Sequence, residues 1–266
     1  MYHKPLYLLI FLQLTLCSCQ KIIDIDLNEG NTKYVVSAAI EEGSHTAVLN
    51  ITETIGYFDT VYPPKISGAE SYIMDNNNNI NYFQEKKPGT YLIHNFEAIP
   101  NNTYNINIQI ENETITGSSF LPPFIILDSL TYTYESPSII SNGGYIVYAE
   151  FNDPIEQDNY YRLRVTKNGE LNDKPRQMVL FNDKFSNGSH IKIPYYLNIY
   201  DLGDEIKLEL ISIDKDVYRY YETLFDATVY SGPNDAAPSN PESNLSDNAI
   251  GYFGLYSVSS KTILIQ

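Results

Sequence analysis

A mainly β fold with a single helix is what this chain predicts: a β-sandwich followed by a second, less regular β domain. Three observations lead there. Short runs rich in Val, Ile, Thr and Tyr recur with Gly, Pro and Asn between them, at the roughly ten-residue spacing of strands in a sandwich. In Tyr104-Asn-Ile106-Asn-Ile108-Gln-Ile110 apolar and polar residues alternate strictly, so one face is buried and the other wet. Leu121-Pro122-Pro123 then interrupts the pattern, because two prolines cannot donate to a central ladder and they stiffen a link.

The first segment is of another kind. His3 and Lys4 precede an apolar run from Leu6 to Leu16 and a small-residue junction at Ser18 and Cys19, the order of a secretory signal. The run is shorter than the ~20 residues a membrane-spanning helix needs, so residues 1–19 read as a cleaved signal peptide. Leu16-Cys17-Ser18-Cys19 resembles the lipobox of bacterial lipoproteins, although Cys17 departs from the small or β-branched residue usual before the final pair. The resemblance makes Cys19 the lipidated residue and new N-terminus; an ordinary signal peptide with an incidental cysteine is the alternative. Acyl chains contribute roughly 0.8 kcal/mol per buried methylene, which anchors a protein without a spanning helix.

Residues 20–122 are expected to form the sandwich. Ile23, Ile25 and Leu27 alternate with Asp24 and Asp26 as an entering strand. Further strands are read at Tyr34 to Ile40, Thr46 to Thr52, Ser71 to Met74, Ile80 to Phe83, Thr90 to Ile93, Tyr104 to Ile110 and Glu113 to Ser118. Residues 123–266 supply the second domain, with strands at Ile125 to Tyr134, Tyr145 to Phe151, Tyr160 to Val165, Gln177 to Phe181, His190 to Ile193 and Glu205 to Ile213. Val217, Tyr218, Tyr221, Leu224, Phe225 and Thr228 then fall at three- and four-residue spacings behind Asp214 or Asp216, which predicts a helix over about 214–229 with an aspartate N-cap. Residues 231–249 hold three prolines and many Ser, Asn and Asp residues, longer than an ordinary connection. Gly251 to Val258 and Thr262 to Ile265 close the chain as strands.

Composition narrows the function. A net charge of −16 leaves no basic footprint for nucleic acid, and phosphate would be repelled. Both cysteines lie at the cleavage junction, so the body carries no disulfide and relies on its own core. The 24 tyrosines read as strand residues at the core edge with their hydroxyls in water, and the absence of tryptophan argues against a sugar-stacking platform.

Chemical motifs are scarce. His45, His94 and His190 are far apart with no second ligand at metal spacing, so no metal or cofactor is expected. No nucleophile elbow or phosphate loop occurs. Asp24-Ile-Asp26-Leu-Asn28-Glu-Gly30 spaces its oxygens like a calcium loop, but the glycine is one place late and Val35 stands where a bidentate glutamate is needed. Asp153-Pro-Ile-Glu156-Gln-Asp158 reads as a solvated turn, with weak calcium binding as the alternative.

Several of these residues together resemble an uncharacterised family of Bacteroidota envelope lipoproteins. The matching residues are Ile23 to Leu27, Tyr34-Val35-Val36, Ser67-Gly68-Ala69, Gly89 with Tyr91, Leu121-Pro122, Asp128-Ser129-Leu130, Tyr160-Tyr161, Tyr220-Tyr221, Ser243-Asn244 and Gly251-Tyr252-Phe253-Gly254. Within the first domain, Ser67-Gly68-Ala69-Glu70, Gly89-Thr90-Tyr91 and Tyr104-Asn105-Ile106 look like immunoglobulin- or prealbumin-like modules. The resemblance implies a non-catalytic, outer-membrane-anchored lipoprotein that assists a TonB-dependent transporter by capturing substrate or capping the barrel. It supplies no catalytic residue. A structural or adhesive surface protein is the alternative, and a carboxylate-dependent hydrolase the third reading.

Overall fold

The strand-rich runs become β1 (Tyr34–Glu41), β2 (Thr46–Glu53), β3 (Glu70–Met74), β4 (Ile80–Tyr82), β5 (Gln84–Lys87), β6 (Thr90–His94), β7 (Thr103–Ile110) and β8 (Glu113–Phe120). They continue as β9 (Leu127–Glu135), β10 (Gly144–Asn152), β11 (Tyr160–Lys167), β12 (Glu170–Asn172), β13 (Val179–Asn182), β14 (His190–Tyr200) and β15 (Glu205–Ile213). Helix α1 (Lys215–Val229) and β16 (Ala249–Leu264) complete the order. The computed structural model describes residues 32–56, 59–137, 143–229 and 240–266. The signal segment with Cys19 and the acidic run Ile23 to Leu27 lie outside the described residues.

The fold is mainly β and sandwich-like. One long sheet runs β12-β11-β15-β16-β1-β2-β6-β5, with β13 also paired to β11. Two smaller sheets, β4-β3-β7-β8 and β14-β10-β9, supply the partner strands of two separate cores. The first core joins Val36, Leu49, Tyr91, Ile106 and Ile108 to Phe253 and Leu255. The second joins Phe151, Tyr161, Leu163, Ile193 and Leu208.

Strand β16 ties the cores together. Its first half, Ala249 to Tyr256, pairs in parallel with β1, and its second half, Ser257 to Leu264, pairs antiparallel with β15. The change of core along the chain falls between Leu121 and Ile125, across Pro122 and Pro123. Yet Leu245, Ala249, Phe253 and Leu255 return to the first core, and residues 32–266 make one compact unit. The described strands on either side of Pro122 and Pro123 therefore meet in one sheet through β16. A parallel pair between the first and last strands is a long-range contact that local periodicity does not report.

Other departures from the strand reading have local causes. β5 is exposed along its whole length, so it has no alternation to reveal it. β11 and β12 join through Asn168 and Gly169, both at positive φ (51° and 83°), the two-residue turn that suits strand twist. β14 continues past Pro194 because it is an edge strand, where a missing N–H breaks no ladder. Residues 259–261 look too polar for a strand interior, but the buried Ser259 hydroxyl accepts from the Leu127 N–H at 2.9 Å, so β16 is continuous.

The tyrosine reading also needs correction. Tyr91, Tyr161, Tyr195 and Tyr200 are fully buried. Internal partners make this tolerable for Tyr91, Tyr161 and Tyr195, as buried hydroxyls require, while the Tyr200 hydroxyl is buried without one. The Tyr91 hydroxyl donates to the Ile66 carbonyl at 2.7 Å and accepts from the Ala69 N–H at 3.1 Å. The Tyr195 hydroxyl donates to the Gln177 carbonyl.

Candidate functional site

Strand alternation divides β11 into an inner row, Tyr161, Leu163 and Val165, and an outer row, Tyr160, Arg162 and Arg164. The inner row enters the second core. On β15 the inward Leu208 and Leu210 alternate with Glu209, Ile211 and Ile213, and all five are buried. Burial on both faces has a simple cause, because α1 covers the outer face and packs Val217, Tyr218 and Tyr221 against Ile211, Ile213, Tyr252 and Tyr256.

The helix starts at its position because of Asp214. Its carboxylate accepts from the Val217 N–H at 2.7 Å, an N-cap, and also from the Ser119 hydroxyl and the Phe120 N–H of β8. Burial raises the Asp214 pKa above the ordinary carboxylate range even though these donors act to lower it. The helix lies close to the sheet because β16 has a glycine beneath it. A Cβ on Gly254 would sit 2.8 Å from Val217 Cγ2.

Under α1 the outer row forms a cleft of about 110 Å³ lined by Arg162, Arg164, Asp173, Tyr221, Tyr252 and Tyr256, among others. Arg162 is 7% exposed. Its guanidinium lies 4.4 Å from the centre of the Tyr221 ring, a cation–π contact, and Nη2 donates to Asp173. Its Nε is buried without a partner. Arg164 donates through Nε to Glu209, whose other oxygen accepts from Lys207 Nζ at 2.7 Å. Burial alone would raise the Glu209 pKa, but these two cations outweigh it and hold the carboxyl below its usual range. The Tyr221 and Tyr252 hydroxyls meet at 2.7 Å. Burial pushes Tyr252 and Tyr256 above the usual phenol range.

A second cleft of about 150 Å³ lies beside Phe120, Asp158, Tyr160 and Asp214. Its buried acid is the one that caps the helix.

The residues singled out in sequence fall elsewhere. Cys19 lies outside the described residues. His45 stands in the turn before β2, His94 ends β6 and His190 begins β14. Among the described residues no group of three or more His, Cys, Asp or Glu is placed to hold a metal. The loop from Asp153 to Asp158 is not wholly a solvated turn, because Asp153 is buried, accepts from the Tyr161 hydroxyl and, at 2.9 Å, from the Gly188 N–H. Burial is the main reason its pKa is raised. Asp183, also buried, accepts from the Asn159 N–H at 2.9 Å. These two acids fasten the loops after β10 and β13.

Part of the 231–249 segment lies outside the described residues. The remainder is docked. Asn244 donates to the carbonyls of Phe253 and Ser118 and accepts from the Phe253 N–H at 3.0 Å, while Ser243 donates to the Gly251 carbonyl at 2.8 Å. These side chains satisfy an edge of β16 that has no neighbouring strand. The family-like residues thus have structural reasons. Gly251 has φ +105°, and a Cβ there would fall 1.9 Å from the Val36 carbonyl oxygen, a backbone approach that only glycine permits.

Tyr221 and Tyr252 were noted in the sequence only as helix-face and family-like residues, and the other polar cleft residues were not singled out. One signal was present, since Arg162 and Arg164 are two of only four arginines in the chain and stand two apart on a strand.

Comparison with known proteins yields a family. Residues 20–262 match the family described as Domain of unknown function (DUF4249), and the chain belongs to it. No curated protein matches the chain. Among solved structures, a two fibronectin type-III domain segment from chicken tenascin is 10% identical, covering 68% of this chain and 91% of its own at a TM-score of 0.23. A DUF4785 family protein from Legionella pneumophila is 11% identical, covering 67% of this chain and 52% of its own at a TM-score of 0.27.

Proposed function

We propose, taking membership of this family as the premise, that the protein is a non-catalytic lipoprotein anchored through Cys19 to the outer membrane. In this reading it captures a ligand in the helix-roofed cleft and serves as an accessory to a TonB-dependent transporter. The observation that carries the capture role is the cleft itself, where a nearly buried arginine stands with a second arginine and three tyrosines. A concave site with a few convergent polar groups is the usual form of a binding site. The lipobox-like Leu16-Cys17-Ser18-Cys19 supports the anchor, and the envelope-family resemblance supports the transporter.

The test is affinity purification of the tagged protein from gently solubilised envelope, wild type against Cys19→Ala, with mass spectrometry of what co-elutes. Recovery of a TonB-dependent transporter with the wild type alone is the expected result. An acylated protein that brings down no transporter would end the accessory role. Deleting residues 231–239 tests the loop as a contact while leaving Ser243 and Asn244 in place.

The structural or adhesive reading draws on a different surface. Edge strand β14 and the turn after it expose Tyr196, Leu197, Ile199 and Leu202, and exposed apolar edges attract partners. A carboxylate hydrolase has less support, because Asp153 and Asp183 are sequestered in hydrogen bonds that each accepts from the other's loop.

A further inference from the structure

The geometry points to a small organic carboxylate as the ligand of the cleft beneath α1. This assignment rests on the capture reading and adds the chemistry of what is captured.

The donors left over in the cleft define the complement. Arginine has five N–H donors and no acceptor. Arg162 uses Nη2 on Asp173, and its buried guanidinium adds positive charge at the floor of the cleft. Arg164 uses Nε on Glu209, and its terminal nitrogens have no partner among the described residues. In the Tyr221–Tyr252 pair one hydroxyl donates to the other, so the accepting one keeps its own proton free to donate. Tyr256 lines the same cleft with a hydroxyl that has no partner among the described residues. Unused donors therefore converge from β11, β16 and α1, and a group that only accepts satisfies them best. Carboxylates on guanidinium groups are the strong, geometrically matched case.

Charge and size limit the ligand further. Arg162, Arg164 and Lys207 face Asp173 and Glu209, an excess of one positive charge. Glu41 stands near Tyr256 from β1 and contributes to its raised pKa, so the rim works against an anion and a single negative charge is the most the site takes. About 110 Å³ accommodates a carboxylate with a short apolar tail, for which Ile211, Ile213 and the Tyr252 ring form the wall. The protein as a whole is strongly acidic. The paired arginines are therefore a local attraction for an anion that the overall field does not supply.

The experiment uses the scarcity of arginine. The full-length chain, labelled with 15N-arginine and purified in mild detergent, has four Nε–H groups to follow, from Arg162, Arg164, Arg176 and Arg219. Titration with propionate is expected to move the Arg162 and Arg164 signals saturably and leave the other two in place. Tyr256→Phe removes only an unpartnered hydroxyl and should preserve the fold while weakening propionate about tenfold, the loss typical of one hydrogen bond to a charged group. Glu41→Gln should tighten it.

Shifts that do not saturate, move all four signals alike, or ignore Tyr256→Phe would overturn the site. Tighter saturation by inorganic phosphate than by propionate would overturn the carboxylate class. Because the titration is made on the isolated protein, saturable binding together with a failed transporter pull-down would remove the accessory role and leave the ligand site standing.

Discussion

Replacing Asp214 with alanine should destabilise the protein by about 3 kcal/mol, made up of about 1 for a lost N-cap and about 1 for each of two donors, one buried and one part-buried, left without an acceptor. The donors are the Ser119 hydroxyl and the Phe120 N–H, and the lost cap is the bond to the Val217 N–H. Ser119 is already committed on its other side, where its oxygen accepts from the Leu255 N–H, so it cannot simply rotate to water. Relief of the buried carboxylate offsets part of the loss. For a body of this size roughly 2–4 °C is lost per kcal/mol, which sets the expected fall in Tm at about 6–12 °C. Thermal melts followed by circular dichroism read this directly. The helical signal should fray before the sheet signal, because α1 alone loses its starting bond. A fall smaller than about 2 °C would refute the claim that Asp214 joins the helix to β8 and to the sheet beneath.

Asp214 also gives a pH prediction. Its folded pKa is raised by burial, so its contribution is fully present below the unfolded value, near 4, and is lost as pH rises through the folded value. Asp214→Asn, which does not titrate, should cost more at pH 4 than at pH 8 in urea unfolding; a cost that grows with pH reverses the sign and sinks the inference. Gly251→Ala should leave little folded protein in a soluble-expression assay, since its Cβ would collide with the Val36 carbonyl; a normal yield and melting point would contradict the close β1–β16 pairing. Tyr161→Phe strips the Asp153 carboxyl of a buried partner and should cost about 1–3 kcal/mol by chemical denaturation. Residues 32–124 expressed alone should give no cooperative transition, because β1 loses the whole parallel partnership with β16. A cooperative melt of that fragment would show that the first core folds without β16.

The amino-acid order by itself determined the local elements. Tyr104 to Ile110 alternates because one face meets a core and the other water. The helix was legible from its three- and four-residue spacing and its aspartate cap, and the prolines at 122 and 123 mark where one core gives way to the next. Such signals are written within a few neighbouring residues, so periodicity reports them. Only the tertiary structure decided the rest. The parallel pairing of Val36 with Gly251 joins residues over two hundred positions apart. It explains why the last strand belongs to both cores. Burial of Tyr161 and Asp153 depends on the loop after β13 folding over them, which no local pattern records. The cleft beneath α1 gathers Arg162 and Arg164 from one strand, Glu209 from a second, Tyr252 and Tyr256 from a third and Tyr221 from the helix. Each of these looks like an ordinary polar or aromatic surface residue until the helix covers the sheet and removes the water around it.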